Sequence, residues 1–205
     1  MVATVSSDRV VGLFEAGVAA VEAQAADRDD TWWDEPACGA WSAADVTRHV
    51  RAVIGWYQHW LDRAETGQTD MPFPAGELAR RNDEELAGLR TLSGAAATRE
   101  FAEQARHYLT RVQADWDRRY GYPFGTVTAG LHAGVAATEW HLHAWDLSGG
   151  RHQPADPTGL YLAAGACFTR AEGGVKGTVL GWLVPLGARR RPWDALLKRS
   201  GRTPI

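Results

Sequence analysis

The sequence predicts an all-α fold, a helical bundle, and three observations carry that prediction. Apolar residues recur at three- and four-residue steps through most of the chain. Helix-start residues, Ser42 with Asp45 and Thr126 or Thr128, precede two of these stretches, and Gly149-Gly150 closes one. Glycine and proline gather in short connecting segments between them.

The first helix runs from Ser7 to about Ala26, with Val10, Leu13, Phe14, Val18 and Val21 as its apolar stripe and Ser6 or Ser7 as N-cap. One wall of a bundle is a sufficient role for it. Asp27 to Ala40 is a loop holding Cys38, which no basic residue flanks, so an activated thiol is not expected there. In Trp41-Ser-Ala-Ala-Asp45 the Ser42/Asp45 spacing resembles a capping box, which explains Asp45 without catalysis. The second helix then continues to about Ala64. His49, Val53, Trp56 and Trp60 share one of its faces. His49 is there either as a satisfied core residue or as a metal ligand. Trp56 and Trp60 either fill the core or wall a pocket, and His59 is expected to be exposed.

Gly67 to Gly76 is a loop, and Glu77 to Leu92 a charged helix interrupted by Ser93-Gly94. A longer helix from Ala95 to about Arg119 carries Phe101, Ala105, Tyr108, Leu109, Val112 and Trp116, with His107 off the stripe. Tyr120 to Thr126 is a turn. The next helix reaches about Ser148, and His132, Ala136, Glu139, His143 and Asp146 lie along one face of it. Glu139 and His143 are four residues apart, roughly 6 Å along the axis. A carboxylate and an imidazole so placed form two-thirds of a three-ligand zinc site. His141 projects nearly opposite and is excluded. The competing account is a buried polar cluster that satisfies itself.

Arg151 to Pro157 is a connector. A helix from about Thr158 to Glu172 contains Cys167, Gly173 to Gly187 reads as extended or loop, and Pro192 to Arg199 suits a short last helix with Gly201 at C′. Residues 1–150 are thus expected to form the bundle and 151–205 an extension packed on it. The tail is basic, with Arg189, Arg190, Arg191, Lys198, Arg199 and Arg202, and is read as solvated surface or as a holder for an anionic substrate.

The 205 residues suffice for one sizeable core. A net charge of −3 gives no reason to expect nucleic acid as a partner. No apolar run approaches the ~20 residues that span a bilayer, so no membrane is expected. Residues 1–11 carry no signal-peptide pattern, and two cysteines make no disulfide scaffold, so a reduced, cytoplasmic protein is expected. Ten tryptophans are too many for a plain aliphatic core, and several should surround a cavity. The sequence does not specify an oligomeric state.

Trp41-Ser-Ala-Ala-Asp-Val-Thr-Arg-His49 resembles the "W-S-x-x-D-x-x-x-H" signature of the DinB-like metalloenzymes, and in particular the N-terminal domain of mycothiol-dependent maleylpyruvate isomerases. Glu139-Trp-His-Leu-His143-Ala-Trp-Asp146 resembles that group's "E-x-x-x-H-x-x-D", and Leu196-Leu-Lys-Arg-Ser-Gly201-Arg-Thr-Pro204 its "L-L-x-x-x-G-R-x-P" ending. The resemblance implies a DinB-like four-helix bundle holding a divalent metal, usually zinc, through His49, Glu139 and His143. It also implies a low-molecular-weight thiol, mycothiol in this branch, as cosubstrate. The chain is short for the isomerases' second domain, which sets their own substrate aside.

Three protein ligands leave zinc one open position, where a bound thiol is deprotonated. The expected activity is therefore a thiol transfer to, or a thiol-assisted isomerisation of, a small electrophile. His132 would be a general base or a substrate contact. Asp146 would orient His143 or serve only the helix end. The alternatives are a zinc hydrolase drawing its base from His132 or Asp146, and a non-catalytic metal-binding module.

Overall fold

The computed structural model describes residues 5–123, 125–170 and 191–204. Seven α-helices run through them: α1 (Ser7–Ala25), α2 (Ala43–Glu65), α3 (Leu78–Gly88), α4 (Gly94–Ala114), α5 (Ala129–Leu147), α6 (Pro157–Arg170) and α7 (Pro192–Arg199). Four of them make the bundle. α1 packs on α5 and on α4, α4 packs on α2, and α2 faces α5 more loosely across the fourth side. α6 covers another side of α5, and α7 lies on α6. The expected extended segment, Gly173 to Gly187, and the side chain of Cys167 lie outside the described residues.

Local chemistry sets the helix ends. Ser42 Oγ accepts from the Asp45 amide while the Asp45 carboxylate accepts from the Ser42 amide, so the capping box at α2 is complete. Thr128 caps α5 through the Leu131 amide, and Gly149 and Gly150, at φ +62° and +84°, end it. The core is built from Phe14, Ile54, Phe101, Tyr108 and Trp140, all essentially inaccessible. Full burial of a large apolar side chain contributes roughly 1.5–3 kcal/mol. The α1–α5 contact favours a glycine: a Cβ on Gly17 of α1 would stand 2.9 Å from Cβ of Trp140 on α5.

Two short antiparallel pairs depart from the purely helical expectation. β1 (Pro36–Cys38) pairs with β2 (Trp41–Ser42), and β3 (Arg119–Tyr122) pairs with β4 (Gly125–Thr128). The segment read as a turn, Tyr120 to Thr126, is the second of these hairpins. Tyr120, Tyr122 and Val127 are buried, but strands of four residues are too short for a two-residue period to stand out from the flanking Gly and Pro. The hairpin is fastened to the loop after α2, where Thr126 Oγ1 donates to the Thr69 carbonyl at 2.9 Å. Only glycine fits at position 121, since a Cβ there would lie 2.1 Å from the Asp70 carbonyl oxygen. No helix among the described residues is long and apolar enough to cross a membrane.

Candidate functional site

Nearly every residue of α5 is buried, so its polar side chains must find partners inside the protein. Thr138 donates to the Gly134 carbonyl at 3.1 Å. His141 faces α1, as expected of a residue opposite the candidate face. Its Nε2 lies 3.2 Å from the Leu13 carbonyl, which accepts only, and its Nδ1 lies 2.9 Å from Nε2 of His152. The Nε2 proton of His141 therefore goes to Leu13, and His152 donates to Nδ1. His132, Glu139, His143 and Asp146 remain for α2 and the tail.

His143 and Asp146, one turn apart on α5, are joined by an Nδ1–Oδ2 contact of 3.0 Å. An ionised carboxylate only accepts, so Nδ1 carries the proton and Nε2 is the ring nitrogen left for a ligand. The ring of His49, delivered by α2, meets the His143 ring edge to face with centroids 5.0 Å apart. Trp41 covers His49 from another direction at 4.8 Å. Burial first, then the neighbouring His143 and Arg202, push the His49 pKa down to about 3, so its imidazole is neutral at physiological pH. Glu139 accepts a hydrogen bond from the Tyr57 hydroxyl at 3.2 Å. Burial raises the Glu139 pKa, and His143, Tyr57 and Arg202 offset that only in part.

The structure thus brings His49, Glu139 and His143 to the α2–α5 gap. Among the described residues, no three His, Cys, Asp or Glu side chains surround one point in liganding geometry. The two imidazoles touch each other, and Glu139 is engaged with Tyr57. The donor chemistry nevertheless suits a divalent cation. It comprises a neutral imidazole, a second imidazole oriented by a carboxylate, and a recessed carboxylate that no Lys or Arg pairs among the described residues.

Asp146 makes the contact to His143 that an orienting role requires, and it is itself held. Arg202 donates Nε to Oδ1 at 2.7 Å and Nη2 to Oδ2 at 2.5 Å. Burial pushes the Asp146 carboxyl up, but Arg202 and His143 outweigh it and keep the pKa below the usual carboxylate range. The expectation of a solvated basic tail is therefore wrong at Arg202, whose side chain is only 12% exposed. Gly201, at φ +79°, turns the chain after α7, and the Arg202 amide bonds the Leu197 carbonyl. The closing Gly201-Arg202 pair was the available signal, since a positive-φ glycine aims the next side chain.

His132 lies two turns before Glu139, inside an aromatic box. Tyr57, Tyr120 and Tyr122 stand 4.4, 4.6 and 5.0 Å from its ring, and the Tyr108 hydroxyl is 3.1 Å from Nδ1. Burial alone drives its pKa to about 3, which makes it a weak general base and leaves the ring neutral. It lines a cavity of about 100 Å³ together with His49, Glu139, Tyr57, Trp56 and Trp60. The two tryptophans are walls of that cavity. α3 adds Leu78 and Asn82 to its rim, a contribution the charged pattern of that helix did not reveal. Burial raises the Cys38 thiol, and the adjacent Asp146 raises it further, so this cysteine is not an activated nucleophile.

A helical bundle that sets this polar face between its second and fifth helices defines a DinB-like protein. More narrowly, the chain belongs to the mycothiol maleylpyruvate isomerase N-terminal domain family, whose model matches residues 14–148. The match takes in His49, Glu139, His143 and Asp146 and stops before Arg202. No curated protein and no solved structure matches the chain.

Proposed function

We propose that this chain is a metal-dependent enzyme that adds a low-molecular-weight thiol, mycothiol by its family, to a small electrophile or uses it to isomerise one. His49, Glu139 and His143 would hold a divalent ion, zinc by its donor set. When bound, the ion supplies an open position at which a thiol loses its proton. The single observation that carries the reading is the meeting of His49 and His143, ninety-four positions apart in the chain, at 5.0 Å beside a recessed carboxylate. The rest of the site supports it. Asp146 fixes the tautomer of His143, Arg202 fixes Asp146, and Trp56 and Trp60 wall the cavity.

The hydrolase alternative is weaker on this geometry. A His132 with a pKa near 3, tied to Tyr108, and an Asp146 paired with Arg202 are both poor general bases for a water molecule. The test is metal analysis of the purified chain, followed by conjugation of mycothiol to an electrophile with and without a chelator. His49→Ala should lose the metal and the conjugation together. A His49→Ala protein that retains stoichiometric zinc removes the ligand assignment.

A further inference from the structure

We infer that the cavity beside His49 and Glu139 selects an uncharged, flat, conjugated molecule and turns away carboxylates. A neutral α,β-unsaturated carbonyl compound is then the electrophile. That role rests on the thiol reading above, whereas the selectivity does not.

Size comes first. A dry apolar cavity of roughly 150 Å³ takes a benzene ring, and this cavity is about 100 Å³, so the guest is a small molecule of one short conjugated unit. Shape follows from the walls. Trp56 and Trp60 stand 6.1 Å apart with planes inclined by 34°, and Tyr57 and Tyr122 complete the lining with their rings. Aromatic faces favour a flat guest.

Charge decides the class. No Lys or Arg lines this cavity among the described residues, and its one acidic group is Glu139. A carboxylate entering it would give up water with no cation to receive it, and would face a carboxylate already there. The nearby guanidinium groups do not help. Arg202, whose charge is felt at His49 and Glu139, is held by both oxygens of Asp146 and does not line the cavity. Arg51, Arg63 and Arg81 line a separate, wider hollow on the outer side of Trp56 and Trp60, and each is already paired, with Glu100, Asp70 and Glu77 respectively. A dication held by Glu139 and two neutral imidazoles is brought to neutrality by one thiolate, so the loaded site also has no charge left for an anion. What the cavity does offer is neutral polarity, His132 inside and Asn82 at the rim, enough to orient one carbonyl oxygen.

Crotonamide and crotonate have the same shape and differ in charge. Their binding to the full chain, measured by ligand-observed NMR and tryptophan fluorescence in the presence of chelator, should favour the amide by at least about tenfold. Trp56→Ala should weaken the amide and leave crotonate unchanged. Asn82→Arg, which brings a cation to the rim, should raise crotonate binding about tenfold and erase the preference. Equal or tighter binding of crotonate to the unaltered chain, or no binding of either, overturns the inference. The thiol reading is separated by a second assay on the metal-loaded chain with mycothiol. Amide selectivity without any conjugation of a short acyclic enone, but-3-en-2-one, sinks that reading and leaves this one standing. Conjugation of maleate as fast as of the enone sinks this one alone.

Discussion

Replacing Arg202 by Met should destabilise the fold by about 3 kcal/mol and weaken divalent-metal binding by about one to two orders of magnitude. The Arg202 and Asp146 side chains are 12% and 2% exposed, so the discount that makes surface ion pairs nearly worthless does not apply. Removing one partner of a buried pair costs about 3–5 kcal/mol, because the other charge is left uncompensated. The lower end fits here, since Asp146 would keep the His143 N–H at 3.0 Å and Met would keep the aliphatic packing of the arginine stem. The metal effect follows from the same contacts. An Asp146 free to shift no longer fixes the ring of His143, and outer partners of this kind are typically worth about 10–100-fold in affinity. Urea unfolding at constant m-value reads the first quantity, and zinc competition with a chromophoric chelator reads the second. An Asp146→Asn/Arg202→Met cycle should return a coupling of about 1.5–3 kcal/mol. A destabilisation under about 0.5 kcal/mol with unchanged zinc affinity would refute the argument that the tail holds the site, because a buried pair cannot be broken that cheaply.

Three further outcomes are expected. Ser42→Ala removes one half of the capping box at α2 and should cost about 1–2 kcal/mol in urea unfolding, with metal affinity unaltered. Tyr57→Phe removes the hydrogen bond to Glu139 and should cost about 1–3 kcal/mol with chelator present but clearly less with zinc, since the ion then satisfies the carboxylate; equal losses in the two melts would count against Glu139 as a ligand. His132 has a folded pKa of about 3 against roughly 6.5 unfolded, so the native state keeps it neutral while the unfolded chain takes up a proton as the pH falls below about 6.5. Its contribution is whole above that pH and is lost at about 1.4 kcal/mol per unit down to about pH 3. His132→Gln should therefore show a shallower fall between about pH 5.5 and 4, and superimposed slopes would contradict the burial argument.

The bundle was legible because its helices announce themselves locally. The stripe from Val10 to Val21, the Ser42/Asp45 box and the Gly149-Gly150 stop are all properties of near neighbours in sequence, and each appears where expected. The face of His132, Glu139, His143 and Asp146 was legible for the same reason, as helical spacing alone decides which side chains point together. What joins distant segments was not. Tyr57 was invisible as the partner of Glu139, because its face of α2 reads as core and only the approach of α5 gives its hydroxyl a recipient. The β3–β4 hairpin and the α3 rim were missed because four-residue strands and a charged helix carry too little periodic signal to place them against a cavity. Arg202 was hidden by its company, one basic residue in a tail of several, separated from them only by the turn that Gly201 makes.

The charges around α5 explain why such a site needs the tail as well as the bundle. Two carboxylates, Glu139 and Asp146, belong to α5, and one guanidinium, from Arg202, bonds the second of them. Its Nε and Nη2 are committed to Asp146 and its Nη1 to the Ser200 carbonyl. His49 cannot compensate the other carboxylate, since burial beside His143 keeps its imidazole neutral. Glu139 is left with a phenol and a raised pKa, a state that a carboxylate in a low-dielectric gap leaves readily when a cation is offered. Binding a dication should therefore release a proton from Glu139 whenever the pH lies below its raised pKa. Zinc titrations in buffers of different ionisation enthalpy measure that release directly. A proton count that stays at zero as the pH is lowered stepwise into the carboxyl range would mean that Glu139 does not meet the ion.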